Sequence, residues 1–198
     1  MKKLRVASVP EVSAVSVSRV RGSASVLVDF SGTTKVHVTL VPPRPPSQGA
    51  VHDKAVVEVD MQIAPFCYKY EIDEDIRDSR VAEVSALVQE AVTACVDLSA
   101  YPKTILTFRV VVLETSEFDV ASLVPAVLLG STLALEKAEI AGLGRALALS
   151  VADSGVIGFD VRSGKIILLH SSTLPDVASA MATVKEFEKD LITRNLLL

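Results

Sequence analysis

The sequence predicts one α+β domain, and three patterns along the chain indicate it. The first half is rich in short runs of Val, Ser and Thr, the middle holds a buried strand between two helical patterns, and a third helical pattern closes the chain. A chain of 198 residues can bury roughly 70% of its unfolded surface in a single core. We therefore assign residues 1–198 to a single domain.

Strand patterns dominate the first half. Runs of Val, Ser, Thr and Leu predict strands over residues 15–20, 24–30 and 35–41. Ser31-Gly32-Thr33 predicts a hairpin turn between the last two strands. We expect these strands to form an antiparallel meander.

Less regular stretches lead from this meander to the first helix. Residues 42–54 hold four of the nine prolines and no periodicity, so they predict an extended surface loop. Alternation then predicts a strand over 55–63. The charge-rich stretch 68–78 predicts a solvated connection to the helix that follows.

The middle of the chain predicts a helix, a strand and a second helix. Apolar residues recur at helical spacing between Val81 and Cys95, and a break at Tyr101-Pro102 precedes a run that ends in VVVL. This β-branched run predicts a buried strand that lies between two helices.

The second helix is expected to open with Thr115 or Ser116 as its N-cap and Glu117 in its first turn. Pro125 interrupts the apolar spacing that follows, which indicates a kink or a shifted start. A helix start that follows a strand offers free N–H groups to anions. Residues 114–119 carry three carboxylates and no glycine, so this junction should repel phosphate.

The last third alternates between strands and closes with a helix. Strands are predicted over 142–152, 156–160 and 165–169, with a turn at 162–164 between the last two. A closing amphipathic helix is predicted over 176–191. Its buried stripe is expected to be Val177, Ala180, Met181, Val184, Phe187 and Leu191.

Composition and charge exclude several classes of function. The net charge is −4 and basic residues are scattered, whereas an autonomous nucleic-acid binder has a basic face that neutralises phosphates. No uninterrupted apolar run reaches the roughly 18 residues of a membrane span, and the start MKKLRVASV lacks the apolar block of a signal peptide. Cys67 and Cys95 lie in apolar segments and are expected to be reduced core thiols of an intracellular protein.

Residues of catalytic or metal-binding type form no recognisable pattern. His37, His52 and His170 have no metal-ligand neighbour at helical or strand spacing, so we expect no metal site and no cofactor. Gly142-Leu143-Gly144 follows a helix rather than a strand, which is typical of a helix C-cap and a turn. The acidic group Glu71, Asp73, Glu74 and Asp75 is interpreted as a solvated connection in preference to a cation site.

Several segments, taken in order, resemble the RNase PH family. RGSASVLVDFSGTTKVHVTLVPP is similar to the N-terminal strand pair of that family, with Arg21 in place of its aspartate. VEVDMQIAPF from Val57 resembles the family's next strand, and VSALVQEAVTACVDL from Val84 resembles the helix after it. The strand ILTFRVVVLE and the helix from Ala121 continue in register. The matching short motifs are Gly22-Ser23-Ala24 and Thr34-Lys35-Val36.

This resemblance implies a fold like the second domain of ribosomal protein S5, with antiparallel sheets flanked by helices. Active members of the family are phosphate-dependent 3′-to-5′ exoribonucleases, which bind phosphate with a Gly-Gly-Thr-Arg loop at a helix start. The matching positions here are Ser116, Glu117, Phe118 and Asp119. An anion therefore stands where the family has a cation.

Two further parts of the family's site are missing at the matched positions. Arginines that the family places on the preceding helix fall on Ala86, Glu90 and Thr93. An acidic stretch that supplies catalytic aspartates is deleted, and the nearest match to its last aspartate is Gly155. The resemblance thus implies a chain with no catalytic residues.

The resemblance implies a non-catalytic RNase PH-like subunit of a eukaryotic exosome ring. In such complexes six RNase PH-like chains pair as heterodimers, S1 and KH domain proteins cap the ring, and the assembly processes and degrades RNA in the nucleus, nucleolus and cytoplasm. Arg44, Arg77 and Arg80 are the basic residues that we nominate near an RNA path. Two alternatives stay open: an active phosphate-dependent 3′-to-5′ exoribonuclease and an unrelated α+β interaction domain.

Overall fold

The computed structural model describes residues 12–15, 19–20, 22–46, 53–67, 73–151, 155–171, 176–194 and 196–197. These parts of the chain form two sheets and three helices; the first two helices contact strands of both sheets, and the third packs on the second sheet. The strands are Val12–Val15 (β1), Arg19–Val20 (β2), Ser23–Phe30 (β3), Thr34–Leu40 (β4), Val56–Ile63 (β5), Ile105–Thr115 (β6), Ala146–Val151 (β7), Gly155–Asp160 (β8) and Lys165–His170 (β9). The helices are Glu74–Cys95 (α1), Val120–Lys137 (α2) and Val177–Thr193 (α3), with a short 3₁₀ turn at Leu98–Ala100.

The first sheet has the strand order β1-β3-β4-β6-β5, and β2 also pairs with β3. The β3–β4 hairpin forms as predicted, with Ser31 and Gly32 both at positive φ (56° and 65°) in the turn. β5 and β6 run parallel, so this sheet is mixed rather than antiparallel throughout. The reason is α1, because a helical crossover returns the chain to the end where β5 began.

The predicted strand over 15–20 is wrong in extent. Two shorter strands, β1 and β2, each pair antiparallel with β3, and residues 16–18 lie outside the described residues. The same holds for Arg21, His52 and Glu71, which the sequence singled out. β1 and β2 therefore extend the meander beyond β3 to this edge of the sheet.

Helix α1 begins earlier than the apolar spacing predicted. Asp73 is its N-cap, with a side-chain oxygen that accepts a hydrogen bond from the Asp75 N–H at 2.9 Å. Glu74 and Asp75 occupy the first turn, where the positive end of the helix dipole favours carboxylates. Residues 73–78, predicted as part of a connection, are thus the capped start of the helix.

Helix α2 is the centre of the core. It packs on β3 and β4 on one side and on β7 and β8 on the other, with α1 beside it. Gly130 allows this close approach, since a Cβ there would lie 2.6 Å from Val38 Cγ2. The length and composition of α2 would suit a membrane span, but 83% of it is buried inside the protein, as in a core helix.

Pro125 lies inside α2 without ending it. A proline has no N–H to give to the carbonyl one turn earlier, here that of Ala121, and an unpaired buried oxygen is costly. The Ser150 hydroxyl on β7 donates to this oxygen at 2.7 Å. The helix begins at Val120, so Pro125 lies in its second turn and does not mark a shifted start.

The second sheet has the order β7-β8-β9. The β8–β9 hairpin forms as predicted, with Gly164 at φ 71° in its turn. β7 begins at Ala146, later than predicted, because the N–H groups of Leu143 and Gly144 donate to the Cys95 carbonyl. The Gly142-Leu143-Gly144 turn therefore closes the end of α1, whereas the sequence assigned it to the helix before it.

Helix α3 packs on β7 and β8 and reaches the first sheet at Phe30. Its buried residues are Ala180, Val184, Phe187 and Leu191, all of which belong to the predicted stripe. Val177 was predicted to be buried but is 40% exposed, because it is the first residue of the helix. The Phe187 ring meets Phe30 edge to face, with ring centroids 6.4 Å apart.

A buried ion-pair cluster joins α2, the residue before β7, and α3. Arg145 is 7% exposed, and its guanidinium donates to Glu136 at 2.6 Å and to Glu188 at 3.0 Å. Burial opposes its charge, but hydrogen bonds to Glu188 and Glu136 outweigh burial and raise the pKa of Arg145. We call these three residues the Arg145 cluster.

Both cysteines are free and buried, as the sequence predicted. Burial raises the pKa of Cys67 to about 11 and that of Cys95 to about 12. Thiolate is the reactive form of cysteine, so both thiols should be inert at neutral pH.

Candidate functional site at the start of helix α2

Helices α1 and α2 begin at the same end of the domain. β5 and β6 are parallel, α1 follows β5, and α2 follows β6, so both helix starts lie where these strands end. Ser150 brings the end of β7 there too, since it contacts the first turn of α2. β8 starts beside it, with Gly155 paired to Val151. The matched loop 116–119 and the matched position Gly155 thus lie at one end, which we call the helix-start end, whereas Ala86, Glu90 and Thr93 lie further along α1.

Asp119 closes the start of α2. Its carboxylate accepts a hydrogen bond from the Ser122 N–H at 2.8 Å, which makes it the N-cap. The predicted N-cap, Thr115 or Ser116, is wrong, because β6 continues to Thr115 and the Ser116 N–H donates to the Thr33 carbonyl at 3.0 Å. One of the amides that could hold an anion is therefore used by the chain's own carboxylate.

The loop between β6 and α2 is exposed and acidic. Glu117, predicted in the first helical turn, lies in this loop, where its carbonyl accepts the Thr115 hydroxyl at 2.6 Å. Glu114 pairs across the sheet with Lys35, and this hydrogen bond raises the pKa of Lys35. The nearest lysine on the facing strand is therefore already matched by a carboxylate.

Gly155 has no space for a larger side chain. A Cβ at this position would lie 2.7 Å from Ser171 Oγ and 2.8 Å from Val151 Cγ2, closer than such atoms approach in proteins. The place where the resemblance puts a catalytic aspartate is thus filled by neighbouring side chains.

The outer side of α1 carries no cation at the matched positions. Ala86, Glu90 and Thr93 are all exposed, and their helical spacing puts them on one side of the helix. The opposite side packs on the core through Val84, Val88, Ala91, Val92 and Cys95. The positions that the family occupies with arginines are therefore exposed here, but none of them carries a positive charge.

Carboxylates dominate the helix-start end. The described acidic residues there are Asp73, Glu74, Asp75, Asp78, Glu114, Glu117 and Asp119. The described cations there, Lys35, Arg77 and Arg80, each lie within ion-pair distance of a carboxylate. A surface of this charge repels phosphate and the RNA backbone.

Two of the three nominated arginines lie at this end. Arg77 contacts the carboxylate of Asp78 at 3.0 Å, and Arg80 contacts that of Glu83 at 2.6 Å. Glu83 also lies 3.6 Å from His170 at the end of β9. Both arginines therefore belong to local ion pairs on the surface of α1.

Arg44 lies elsewhere. It forms an isolated bridge with Ile105, the first residue of β6, and pairs with Glu58 at 3.2 Å. The 11 residues of β6 span about 33 Å at the usual rise of a strand. The structure therefore does not bring Arg44 together with Arg77 and Arg80.

The capping role of Asp119 and the exposed cation Arg109 were missed from the sequence. Asp119 stands directly before the apolar run of α2, which is a signal of an N-cap that could have located it. Arg109 is exposed on the outer side of the first sheet and makes no ion pair with the described residues. The sequence pattern that could have located Arg109 is a single charged residue within an otherwise apolar strand. Among the residues that the structure describes, no group of three or more metal-ligating side chains occurs.

Two sheets around a central helix pair, with a helix start at the end of a long strand, define an RNase PH-like α+β domain. Residues 12–141 match the family described as 3′ exoribonuclease family, domain 1. The chain belongs to this family. A search of curated proteins finds no match.

The fold is shared with solved exosome structures at low sequence identity. Rice (Oryza sativa) Rrp46 is 15% identical, with a TM-score of 0.65 over 98% of this chain and 96% of that chain. An Archaeoglobus fulgidus exosome with RNA bound to the active site is 14% identical, with a TM-score of 0.63 over 91% and 88%. An archaeal exosome core is 16% identical, with a TM-score of 0.57 over 90% and 85%. At these identities the likeness shows the fold alone.

Proposed function

We propose that this protein is a non-catalytic structural subunit of the RNA exosome core ring, where it supports 3′-to-5′ RNA processing and degradation. The observation that carries the proposal is the Asp119 cap, which puts a carboxylate where the family resemblance expects a phosphate-binding arginine. Family membership and the fold shared with exosome structures support the assignment to RNA processing.

The chemistry of phosphorolysis argues for an inactive site. Transfer to phosphate depends on prearranged cations and N–H donors around the anion. Here the Ser122 N–H is used by Asp119. A carboxylate about 4 Å from a phosphate adds roughly 4 kcal/mol of repulsion per unit charge at an effective dielectric constant of about 20. Repulsion of this size opposes binding of the attacking phosphate.

The other matched positions support the same conclusion. Gly155 supplies no carboxylate, and the packing of Ser171 and Val151 leaves no room for one. Ala86 and Thr93 leave the outer side of α1 without the arginines that would hold RNA. Residues of a catalytic site act as a unit, so the loss of several parts removes activity as a whole.

As a ring subunit, the chain binds other RNase PH-like chains and lies under S1 and KH domain cap proteins. We expect an obligate-type interface of about 2,000 Å² or more with its RNase PH-like neighbour. RNA is met only through the assembled complex, in the nucleus, including the nucleolus, and in the cytoplasm. The acidic helix-start end supports the view that the chain does not bind RNA by itself, because its carboxylates do not attract the RNA backbone.

Incubation with labelled polyadenylate, with and without phosphate, tests the catalytic part of the proposal. We expect no release of nucleoside diphosphates from the unmodified chain or from Asp119→Arg, although the arginine favours anion binding by about 1 to 3 kcal/mol. Asp119→Asn is the matched control, because it removes the charge and retains an oxygen for the cap. Release from Asp119→Arg alone would mean that the rest of the site is intact. Release from the unmodified chain would identify an active phosphorolytic exoribonuclease.

Two measurements test the structural part. Purification from the native cells should recover other RNase PH-like subunits, and their absence would contradict the ring assignment. Fluorescence anisotropy with single-stranded RNA should give a dissociation constant no tighter than the non-specific range of about 10⁻⁴ to 10⁻⁶ M. Submicromolar binding by the isolated chain would reveal a basic groove that the described residues do not form.

A further inference from the structure

Residues 1–6, MKKLRV, carry a cluster of positive charge and are called the basic segment below. Lys2, Lys3 and Arg5 lie within it, and it holds no carboxylate. No other run of four residues in the sequence contains three cations. A segment of this charge is attracted to an acidic surface, and the helix-start end is such a surface.

The point where this part of the chain joins the fold is fixed. Val12 is 1% exposed, and its carbonyl accepts a hydrogen bond from Arg194 Nη1 at 2.9 Å. Val12 pairs with Phe30 at the end of β3, directly before the β3–β4 turn. On the other side of that turn, Thr34 pairs with Thr115 at the end of β6. The chain therefore enters β1 at the helix-start end.

The residues before β1 are numerous enough to cross this end of the domain. β3 and β4 lie between β1 and β6, so the ends of β1 and β6 are three strand spacings, or about 14 Å, apart. The end of β5 lies one spacing further, at about 19 Å from β1. Eleven residues precede Val12, and an extended chain of this length spans up to about 36 Å. The basic segment can thus reach both strand ends.

These strand ends offer carboxylates and an exposed aromatic ring. Glu117, in the loop after β6, is exposed and makes no ion pair with a described residue. Phe66, which follows β5, is 75% exposed, more than any other large apolar side chain that the structure describes. The thiol of the next residue, Cys67, hydrogen-bonds with the backbone of Thr115, so Phe66 lies close to the end of β6. A cation and an apolar side chain from one segment can therefore be bound side by side.

We propose that the basic segment binds across the helix-start end of its own chain, with its cations against the carboxylates of residues 114–119 and Leu4 on Phe66. The covalent link favours this occupant over a basic segment of another protein. A tethered segment meets its site at an effective concentration of the order of millimolar, which a free partner rarely reaches. Exposed ion pairs are individually weak, so this advantage decides which segment binds. The inference does not rest on the proposed place in an exosome ring.

Carbodiimide cross-linking of the full chain tests the contact directly, because this reagent joins an amine to a carboxylate that it touches. We expect mass spectrometry to find cross-links from Lys2 and Lys3 to residues 114–119. A mixture of isotope-labelled and unlabelled chains distinguishes cross-links within one chain from those between copies. At about 1 M salt the cross-links should be lost, because the screening length falls to about 3 Å.

A tryptophan in place of Phe66 provides a second measurement, since the chain contains no tryptophan. Quenching of Phe66→Trp fluorescence by acrylamide reports whether this side chain is covered. Addition of Lys2→Glu, Lys3→Glu and Arg5→Glu should release the basic segment and increase the quenching.

The matched control adds Arg162→Glu, Lys165→Glu and Lys185→Glu to Phe66→Trp. It reverses the same number of cations, all exposed and located in the β8–β9 turn, at the start of β9 or on α3, so quenching should stay unchanged. Circular dichroism checks that all variants fold. Equal quenching in the two triple variants, cross-links that form only between copies, or the absence of cross-links to residues 114–119 would each overturn the proposal.

Discussion

The two ends of helix α2 use their charges differently. At its start, Asp119 caps the helix beside an exposed loop, and the surrounding carboxylates face water. At its end, Glu136 shares the guanidinium of Arg145 with Glu188, out of contact with most of the solvent. At the start of α2 a charged side chain caps the helix itself. At its end, charged side chains connect α2 to α3 through Arg145.

This difference between the two ends indicates which charged side chains can be replaced without a large loss of stability. A surface charge interacts through water, so its removal leaves its partners solvated and costs little. A buried charge has already lost its water, so removal of one partner leaves the others without compensation. We therefore expect substitutions at the end of α2 to affect stability far more than substitutions at its start.

Arg145→Met should have the largest effect, because it removes the cation from beside the carboxylates of Glu136 and Glu188, which are only 15% and 19% exposed. We expect the free energy of unfolding to fall by about 3–5 kcal/mol, measured by urea denaturation. The control adds Glu136→Gln and Glu188→Gln to the same chain, which should recover much of the loss because no stranded carboxylate remains. A loss below about 1 kcal/mol would mean that this cluster behaves like a surface pair.

Gly155→Asp should come next. The new side chain meets Ser171 and Val151, and overpacking of this kind costs about 1–3 kcal/mol in thermal or urea unfolding. Gly155→Ala is the control, since it adds the Cβ without the carboxylate and should show most of the same loss. Full stability of the aspartate variant would indicate that the helix-start end can accommodate a catalytic carboxylate after all.

Asp119→Ala should have a smaller effect, because it removes only the N-cap of α2. We expect a loss of about 1 kcal/mol, read from the midpoint of urea unfolding. Asp119→Asn retains an acceptor for the Ser122 N–H and should lose less. Equal losses in both variants would show that the charge of Asp119, rather than its hydrogen bond, stabilises the helix.

Arg44→Ala should have the smallest effect. Its pair with Glu58 is exposed, with 55% and 45% of the two side chains accessible, and such pairs contribute about 0–1 kcal/mol. Lys35→Ala is a comparison at the opposite end of the sheet, where the lysine side chain is 40% exposed. A loss above about 2 kcal/mol from Arg44→Ala would mean that Arg44 stabilises the fold as a buried ion pair does.

The helices and strands of this fold were largely predictable because their periods are long and regular. The starts of α1 and α2 were not, because single capping residues decide them. Asp73 and Asp119 each fix a helix start with one side-chain hydrogen bond. An apolar period carries no information about such a bond, and the prediction therefore missed both starts.

The candidate site was predictable in part. The resemblance implied that Asp119 and Gly155 belong to one place, and the structure puts Ser150, in the strand that pairs with the strand of Gly155, against Ala121 beside Asp119. The separation of Arg44 from Arg77 was not predictable, since it follows from the parallel pairing of β5 with β6. The burial of Arg145 was also not predictable from the sequence, because its partner Glu188 lies 43 residues away in the chain.

Ser150 completes a hydrogen bond that α2 cannot make by itself, because Pro125 supplies no N–H to the Ala121 carbonyl. The first turn of α2 is therefore finished only when β7, 29 residues further along the chain, is in place. The start of the helix and the end of this strand should then open and close as one cooperative unit. Hydrogen exchange of Ser150→Ala checks this coupling: the amides of the first turn should exchange faster than in the unmodified chain, while those near Lys137 stay unchanged.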